Sequence, residues 1–214
     1  MLGEPTGRLL LRRRGTPGRR STLGHVDPAA VSRKRELRRA LLAARRAVPA
    51  PVREAEARAL AAVVLPVSGT VCAYHPVGAE PGSGTLLDGL LARGHRVLLP
   101  VVDADGPLDW AVYTGALRSG PFGLLEPDGA LLGPGAIVGA ALVLVPALAV
   151  DGTGVRLGRG GGHYDRSLPL AGDGVPLVAV VRDDELVDEL PAEPHDVRMT
   201  GVLTPGRGLL PLRR

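Results

Sequence analysis

The sequence predicts a single α/β domain, residues 25–214, with a largely parallel sheet covered by helices on both faces, behind a disordered basic arm at residues 1–24. Three observations predict it. Short runs such as Arg96 to Val101 (RVLLPV) and Ala141 to Val150 are apolar without alternation, as strands covered on both faces are. Segments with helical spacing fall between those runs, and strands alternating with helices build parallel sheets. The chain of 214 residues is long enough for one core. That core must be aliphatic, because the aromatic residues are only Trp110, Phe122, Tyr74, Tyr113 and Tyr164.

The elements follow in order. Asp27-Pro28 is a helix start, with Asp as N-cap and Pro in the first turn. The helix runs to about Val48, where Pro49 stops it. Leu37, Leu41 and Leu42 form its apolar stripe, and Arg33, Lys34, Arg38, Arg45 and Arg46 cover much of the rest. Pro51 to Leu65 reads as a second helix with Val52, Ala55, Ala59, Leu60 and Val63 inward. Thr70 to Tyr74 is a strand, Ser83 to Ala92 a helix and Arg96 to Val101 a buried strand. Further strands are expected at Leu108 to Tyr113, Ala141 to Val145, Leu177 to Val181 and Val197 to Leu203.

Charge and cysteine usage exclude several function classes. The net charge is +4, but residues 1–24 hold six arginines against Glu4, a balance of +5, which leaves the remaining chain at −1. A near-neutral body gives no support to nucleic-acid binding. The arm has no apolar period, so its removal is expected to leave activity and melting temperature nearly unchanged; loss of folding on truncation would show that it docks. The arm lacks both the amphipathic face of a transit peptide and the apolar stretch of a signal peptide. The longest apolar run, Ala136 to Val150, is too short to span a bilayer and is broken by Pro146. A lone cysteine, Cys72, in an apolar strand fits a core position and a reducing, cytoplasmic compartment. A soluble protein is expected.

The densest chemistry lies in Val155 to Leu168, VRLGRGGGHYDRSL. A strand, then a glycine loop, then a helix start makes a cradle for phosphate, because glycine lets backbone N–H groups approach an anion. Arg156 and Arg159 add positive charge, and Asp165 sits where it could hold magnesium. Plain connections also use glycine turns; the flanking Arg and Asp favour the phosphate reading. Lys34 and Arg38 lie four apart on one helix face and could reach phosphates, although on the residues alone a solvated basic face explains them better. Glu80, in AEPGSGT, either orients an amine-bearing ligand or serves the following helix N-terminus. Phe122, in GPFGLLEP, is a stacking platform for a flat ring or a plug onto the core. Asp165 and Asp196 could share one hard cation with phosphate oxygens, or be unrelated surface aspartates. His163 and His195 lack the spacing of zinc ligands.

Several blocks then fall in one order: KRELR (Lys34 to Arg38), Ala73 to Val102, GPFGLLEP, Val145 to Leu168 and PHDVRMTGVLTP. Together they resemble the 5-formyltetrahydrofolate cyclo-ligase family, also called 5,10-methenyltetrahydrofolate synthetase, over about residues 28 to 205. The resemblance implies ATP- and magnesium-dependent conversion of 5-formyltetrahydrofolate to 5,10-methenyltetrahydrofolate, with release of ADP and phosphate. It implies that Lys34 and Arg38 contact ATP phosphates and that Arg156, Leu157, Gly158, Arg159, Gly160, Gly161, Gly162, His163 and Tyr164 form the nucleotide loop. Within that loop Arg159 to His163 would also line the folate, and Lys34 and Arg159 would assist the chemistry. Glu80 matches a folate-binding carboxylate, His75 falls near another folate contact, and Phe122 falls where an aromatic meets the pterin. Asp165 and Asp196 match magnesium ligands. Gly161 stands where some members have lysine, which removes a charge near the phosphates. His163 replaces a frequent tyrosine and keeps an aromatic ring.

The implied chemistry needs no protein nucleophile, in keeping with the absence of a recognisable triad. A small-molecule enzyme acting as a monomer, with no membrane or nucleic-acid partner, is the expectation. Two other classes compete: a sugar-phosphate or acyl-CoA enzyme of similar architecture, and a non-catalytic nucleic-acid binder using the Arg-rich arm, whose affinity should collapse with salt.

Overall fold

A computed structural model describes residues 28–102, 106–120, 123–193 and 196–213. Two helices open it, α1 (Pro28–Ala47) and α2 (Ala50–Ala62). The expected start at Pro28 holds; its proposed cap, Asp27, lies outside the described residues. Strand β1 (Thr70–Cys72), helix α3 (Gly84–Ala92) and strand β2 (Arg96–Val101) follow as a β-α-β unit. Ser83 caps α3 by accepting the Leu86 N–H, which the sequence included in the helix itself.

The main sheet has seven strands. Five run parallel in the order β2, β1, β6 (Leu142–Pro146), β9 (Leu177–Val180) and β11 (Gly201–Thr204). Antiparallel strands close both edges: β3 (Asp109–Val112) beside β2, and β12 (Gly208–Pro211) beside β11. The β12 strand was not expected from the sequence. Two small sheets flank the large one: β4 (Leu117–Ser119) pairs with β5 (Leu125–Pro127), and β7 (Ala149–Asp151) lies between β8 (Arg156–Leu157) and β10 (Leu186–Val187).

Strand alternation divides the core in two. Val71, Val97, Leu99, Leu144 and Val178 face one way, onto Leu60 of α2 and Leu86, Leu87 and Leu90 of α3. Cys72, Leu98, Val143, Val145 and Ala179 face the other way. That second face is covered by the short 3-10 segments Pro134–Gly139 and Leu168–Leu170, through Ile137 and Leu168, and by α4 (His163–Ser167). Every central strand is buried on both sides, which is why the runs lack polar alternation.

The Cys72 side chain is fully buried, and burial pushes its thiol up to about 12. Cys72 is therefore expected to resist a thiol reagent at pH 8 and to react once guanidinium unfolds the chain. Fast labelling of the folded protein would contradict that packing.

Helix α1 corrects the sequence reading. Its buried residues are Lys34 and Arg45, while Leu37 is 36% exposed. Spacings of four, three and four residues put Lys34, Arg38, Leu41 and Arg45 on one face, and that mostly basic face turns inward. Leu41 packs on the third cluster, Ala149, Val155, Leu157 and Leu190. In α2, Val52 and Ala55 are exposed and Leu60 alone is fully buried, so only part of the expected stripe faces the core.

One turn aims the chain into the site. The buried carboxylate of Asp151 accepts the N–H groups of Thr153, Val155 and Leu190 and the Thr153 hydroxyl. Gly154 in that turn has φ +84°, and a Cβ there would collide with the Met199 carbonyl. Only glycine fits, and the chain leaves the turn directly into β8 and the glycine loop.

Candidate functional site

A cavity of about 220 Å³ opens beyond the carboxyl ends of β1, β2 and β6. Tyr74 and His75 follow β1, Pro100 and Val102 end β2, and Pro146 to Leu148 follow β6. Parallel α/β sheets bind ligands at this edge, because loops leaving parallel strands converge there. The opposite wall is the glycine loop, Gly158 to Gly162, continuing through His163, Tyr164 and Asp165. Eleven of the expected site residues, His75, Glu80, Arg156 and the run Gly158 to Asp165, border one space.

Gly160 (φ +102°) and Gly162 (φ +71°) hold backbone angles that side-chain-bearing residues rarely adopt, so the loop keeps its course only as glycine. The helix after it, α4, has five residues, so its dipole is small and the loop's own N–H groups must do most of any anion binding. The Arg38 guanidinium docks on this loop, its Nε donating to the Gly158 carbonyl at 2.9 Å. Arg38 forms no ion pair with a carboxylate among the described residues, so its charge is available to a ligand.

The other cations are partnered. Lys34 Nζ lies 2.8 Å from Glu193 Oε2 and 3.3 Å from Asp196 Oδ2. Lys34, expected on phosphate, and Asp196, expected on metal, thus meet each other in this structure. Asp196 also accepts the Glu193 N–H at 2.7 Å. Arg159 spans the cavity mouth: its Nε sits 3.1 Å from Glu80 Oε1, and its Nη2 donates to the Val77 carbonyl. Glu80 Oε2 accepts the Val77 N–H at 2.9 Å, which fixes the carboxylate toward the cavity. The Glu80 side chain is only 9% exposed, against 46% for Arg159, so the arginine is the movable half of the pair.

Arg156 is a scaffold cation. Its guanidinium reaches the Pro146 carbonyl and Asp165 Oδ1, and stands 5.8 Å from the Tyr164 ring centre. The Tyr164 hydroxyl is buried with no hydrogen-bond partner among the described residues, and burial drives its phenol well above the ordinary range. The Tyr74 hydroxyl donates to the Pro81 carbonyl at 2.6 Å and ties the wall to the loop that carries Glu80. Leu157 does not face the cavity; it is buried in β8 against Ala149 and Val155. His163 faces the cavity with Nδ1 3.2 Å from Arg166 Nη2.

Asp165 is 47% exposed and can turn toward a cation. No group of three or more His, Cys, Asp or Glu is gathered as a metal cage among the described residues. Phe122 and His195 lie outside the described residues. Tyr74 borders the cavity with the loop that it opens, and Arg45 and the apolar Pro100, Val102, Leu108 and Leu124 border it without having been expected there. For Arg45 a signal existed, in the spacing it shares with Lys34 and Arg38. No helix among the described residues is long and apolar enough to cross a membrane.

Comparison with known proteins places this geometry. The sequence pattern of the 5-formyltetrahydrofolate cyclo-ligase family matches residues 30–205. A 5-formyltetrahydrofolate cyclo-ligase from Mycolicibacterium smegmatis is 57% identical over 189 residues, covering 84% of this chain and 97% of that protein. The NMR structure of Aquifex aeolicus 5,10-methenyltetrahydrofolate synthetase superposes with a TM-score of 0.71 at 26% identity, over 85% of this chain and 93% of that one. A 5,10-methenyltetrahydrofolate synthetase from Mycoplasma pneumoniae shares the fold, with a TM-score of 0.63 at 20% identity over 79% and 96% of the two chains.

Proposed function

The chain belongs to the 5-formyltetrahydrofolate cyclo-ligase family and is a ligase, and from that premise we propose that it closes 5-formyltetrahydrofolate to 5,10-methenyltetrahydrofolate at the expense of ATP. The observation that carries the reading is the single cavity bounded by the glycine loop on one side and Glu80 on the other. A loop suited to phosphate and a fixed carboxylate suited to an amine-bearing ring face the same space.

A formyl oxygen is a poor leaving group, so ring closure needs it converted to a phosphate ester. In the proposed reaction that oxygen attacks the γ-phosphorus and the bond to the bridging oxygen breaks, releasing ADP. N10 then adds to the activated carbon and loses its proton, and the C–O bond breaks to release phosphate. Phosphoryl transfer asks the protein for positioning and charge neutralisation more than covalent work. Arg38, which pairs with no carboxylate among the described residues, and the N–H groups of Gly158 to Gly162 are suited to the polyphosphate. Arg159 is suited to moving from Glu80 onto the transferred group, which would free Glu80 to accept from the pterin amine. Lys34 would reach a phosphate by leaving Glu193 and Asp196.

Magnesium on nucleotides is usually held by one or two carboxylates, with phosphate oxygens and water completing the shell. Asp165 and Asp196 fit that donor chemistry, Asp165 more directly because it is half exposed. Bound there, the cation would supply charge neutralisation on the phosphates. We place the protein in the cytoplasm as a monomer without nucleic-acid partners, a reading supported by the lone buried Cys72 and the near-neutral body.

The test is direct. Protein mixed with ATP, a divalent cation and 5-formyltetrahydrofolate should develop the methenyl product's absorbance, with one ADP per product. No product, or product at full rate in EDTA or without ATP, ends this reading.

A further inference from the structure

Arg45 is the most buried charge bordering the cavity, 3% exposed. Its Nε and Nη2 grip Glu185 at 2.6 and 2.7 Å, and Nη2 also donates to the Ala147 carbonyl. Nη1 takes part in none of these contacts among the described residues. Arg45 itself borders the cavity, and Nη1 is the one guanidinium nitrogen that these contacts leave unused.

The ligand chemistry follows from charge and place. The bidentate pair with Glu185 leaves Arg45 with almost no net attraction for a polyanion, but its remaining N–H groups stay strong, directional donors. Such a group suits a neutral carbonyl oxygen better than phosphate. Arg45 also shares the cavity lining with Tyr74, whose hydroxyl holds the Pro81 carbonyl beside Glu80. The free cation for phosphate, Arg38, is two helical turns away on the glycine loop.

We propose that Arg45 is a substrate-binding residue whose Nη1 donates to a carbonyl oxygen of the bound folate, held in aim by Glu185 and the Ala147 carbonyl. This rests on the folate reading above. In it, α1 serves both substrates, with Arg38 near its middle on the nucleotide and Arg45 near its end on the folate.

The experiment must separate touching substrate from holding the helix. Arg45→Met combined with Glu185→Leu removes both charges and keeps the volume, a replacement that buried ion pairs often tolerate. Binding of 5-formyltetrahydrofolate and of ATP is measured separately by calorimetry on the wild type and the double variant, with thermal melting alongside. The expected result is a cooperative melt, folate affinity weakened about tenfold or more, and ATP affinity within about twofold of wild type. Folate affinity at the wild-type level would overturn the proposal, as would a loss confined to ATP. If the double variant does not melt cooperatively, Arg45→Lys gives the same readout, because lysine keeps a cation beside Glu185 but has no second planar amino group to present. Wild-type protein that binds ATP but not the folate would bring down the folate reading itself, and the proposal with it.

Discussion

Replacing Glu185 with alanine should cost about 3–5 kcal/mol of folding stability, because it strands the Arg45 charge inside the protein. Both groups are buried, at 3% exposure each, and the pair closes through two contacts of 2.6 and 2.7 Å. Glu185 also accepts the Arg182 N–H at 2.8 Å, so the substitution removes a turn's closure as well. For a domain of this size each kcal/mol moves the melting temperature by about 2–4 °C, so the midpoint should fall by roughly 6–20 °C. The loss is larger than for an exposed pair such as Arg207–Asp183, whose removal should pass within about 1 kcal/mol. Thermal melting of the two variants side by side checks this. A Glu185→Ala midpoint within a degree or two of wild type would mean that Arg45 finds water or another partner when the carboxylate is gone.

The same pair shows where the sequence could be read and where it could not. The parallel strands were legible because burial on both faces leaves no polar residue in LVLVP and none in RVLLPV beyond the exposed Arg96 that starts it. The glycine loop was legible because its backbone angles demand glycine at Gly160 and Gly162. Helix α1 was misread because Leu37, Leu41 and Leu42 look like an inward stripe. The competing face, with Lys34, Arg38 and Arg45, is buried only because Glu193, Asp196, the Gly158 carbonyl and Glu185 wait for it from 120 or more residues downstream. No local pattern announces partners so far along the chain. The β12 edge strand went unseen for a related reason: GLLP is a strand through pairing with β11 across the turn at 205–207. Magnesium assignments are the least legible, since Asp165 and Asp196 are each occupied by an arginine or a lysine in the protein alone.

The two ligand sites should come apart under two conservative substitutions. Glu80→Gln keeps an oxygen for the Val77 N–H but gives up the charge that meets Arg159 and, in the proposed complex, the pterin amine. A charge-assisted hydrogen bond is worth about 1.5–3 kcal/mol, so apparent folate affinity should weaken by about tenfold to a hundredfold. ATP affinity should barely move, since Arg38 and the glycine loop are untouched. Asp165→Asn should do the reverse. Its side chain is half exposed, and asparagine keeps an oxygen in reach of the buried Arg156, so the melting temperature should change little. The rate at saturating folate should nevertheless drop by about a hundredfold or more, because the carboxylate offered to the nucleotide-bound cation is gone and such charge stabilisation is worth several kcal/mol in the transition state. Steady-state kinetics with each substrate varied in turn reads both variants. If Glu80→Gln weakens ATP and spares folate, or Asp165→Asn turns over like wild type, the carboxylates have been given to the wrong substrates.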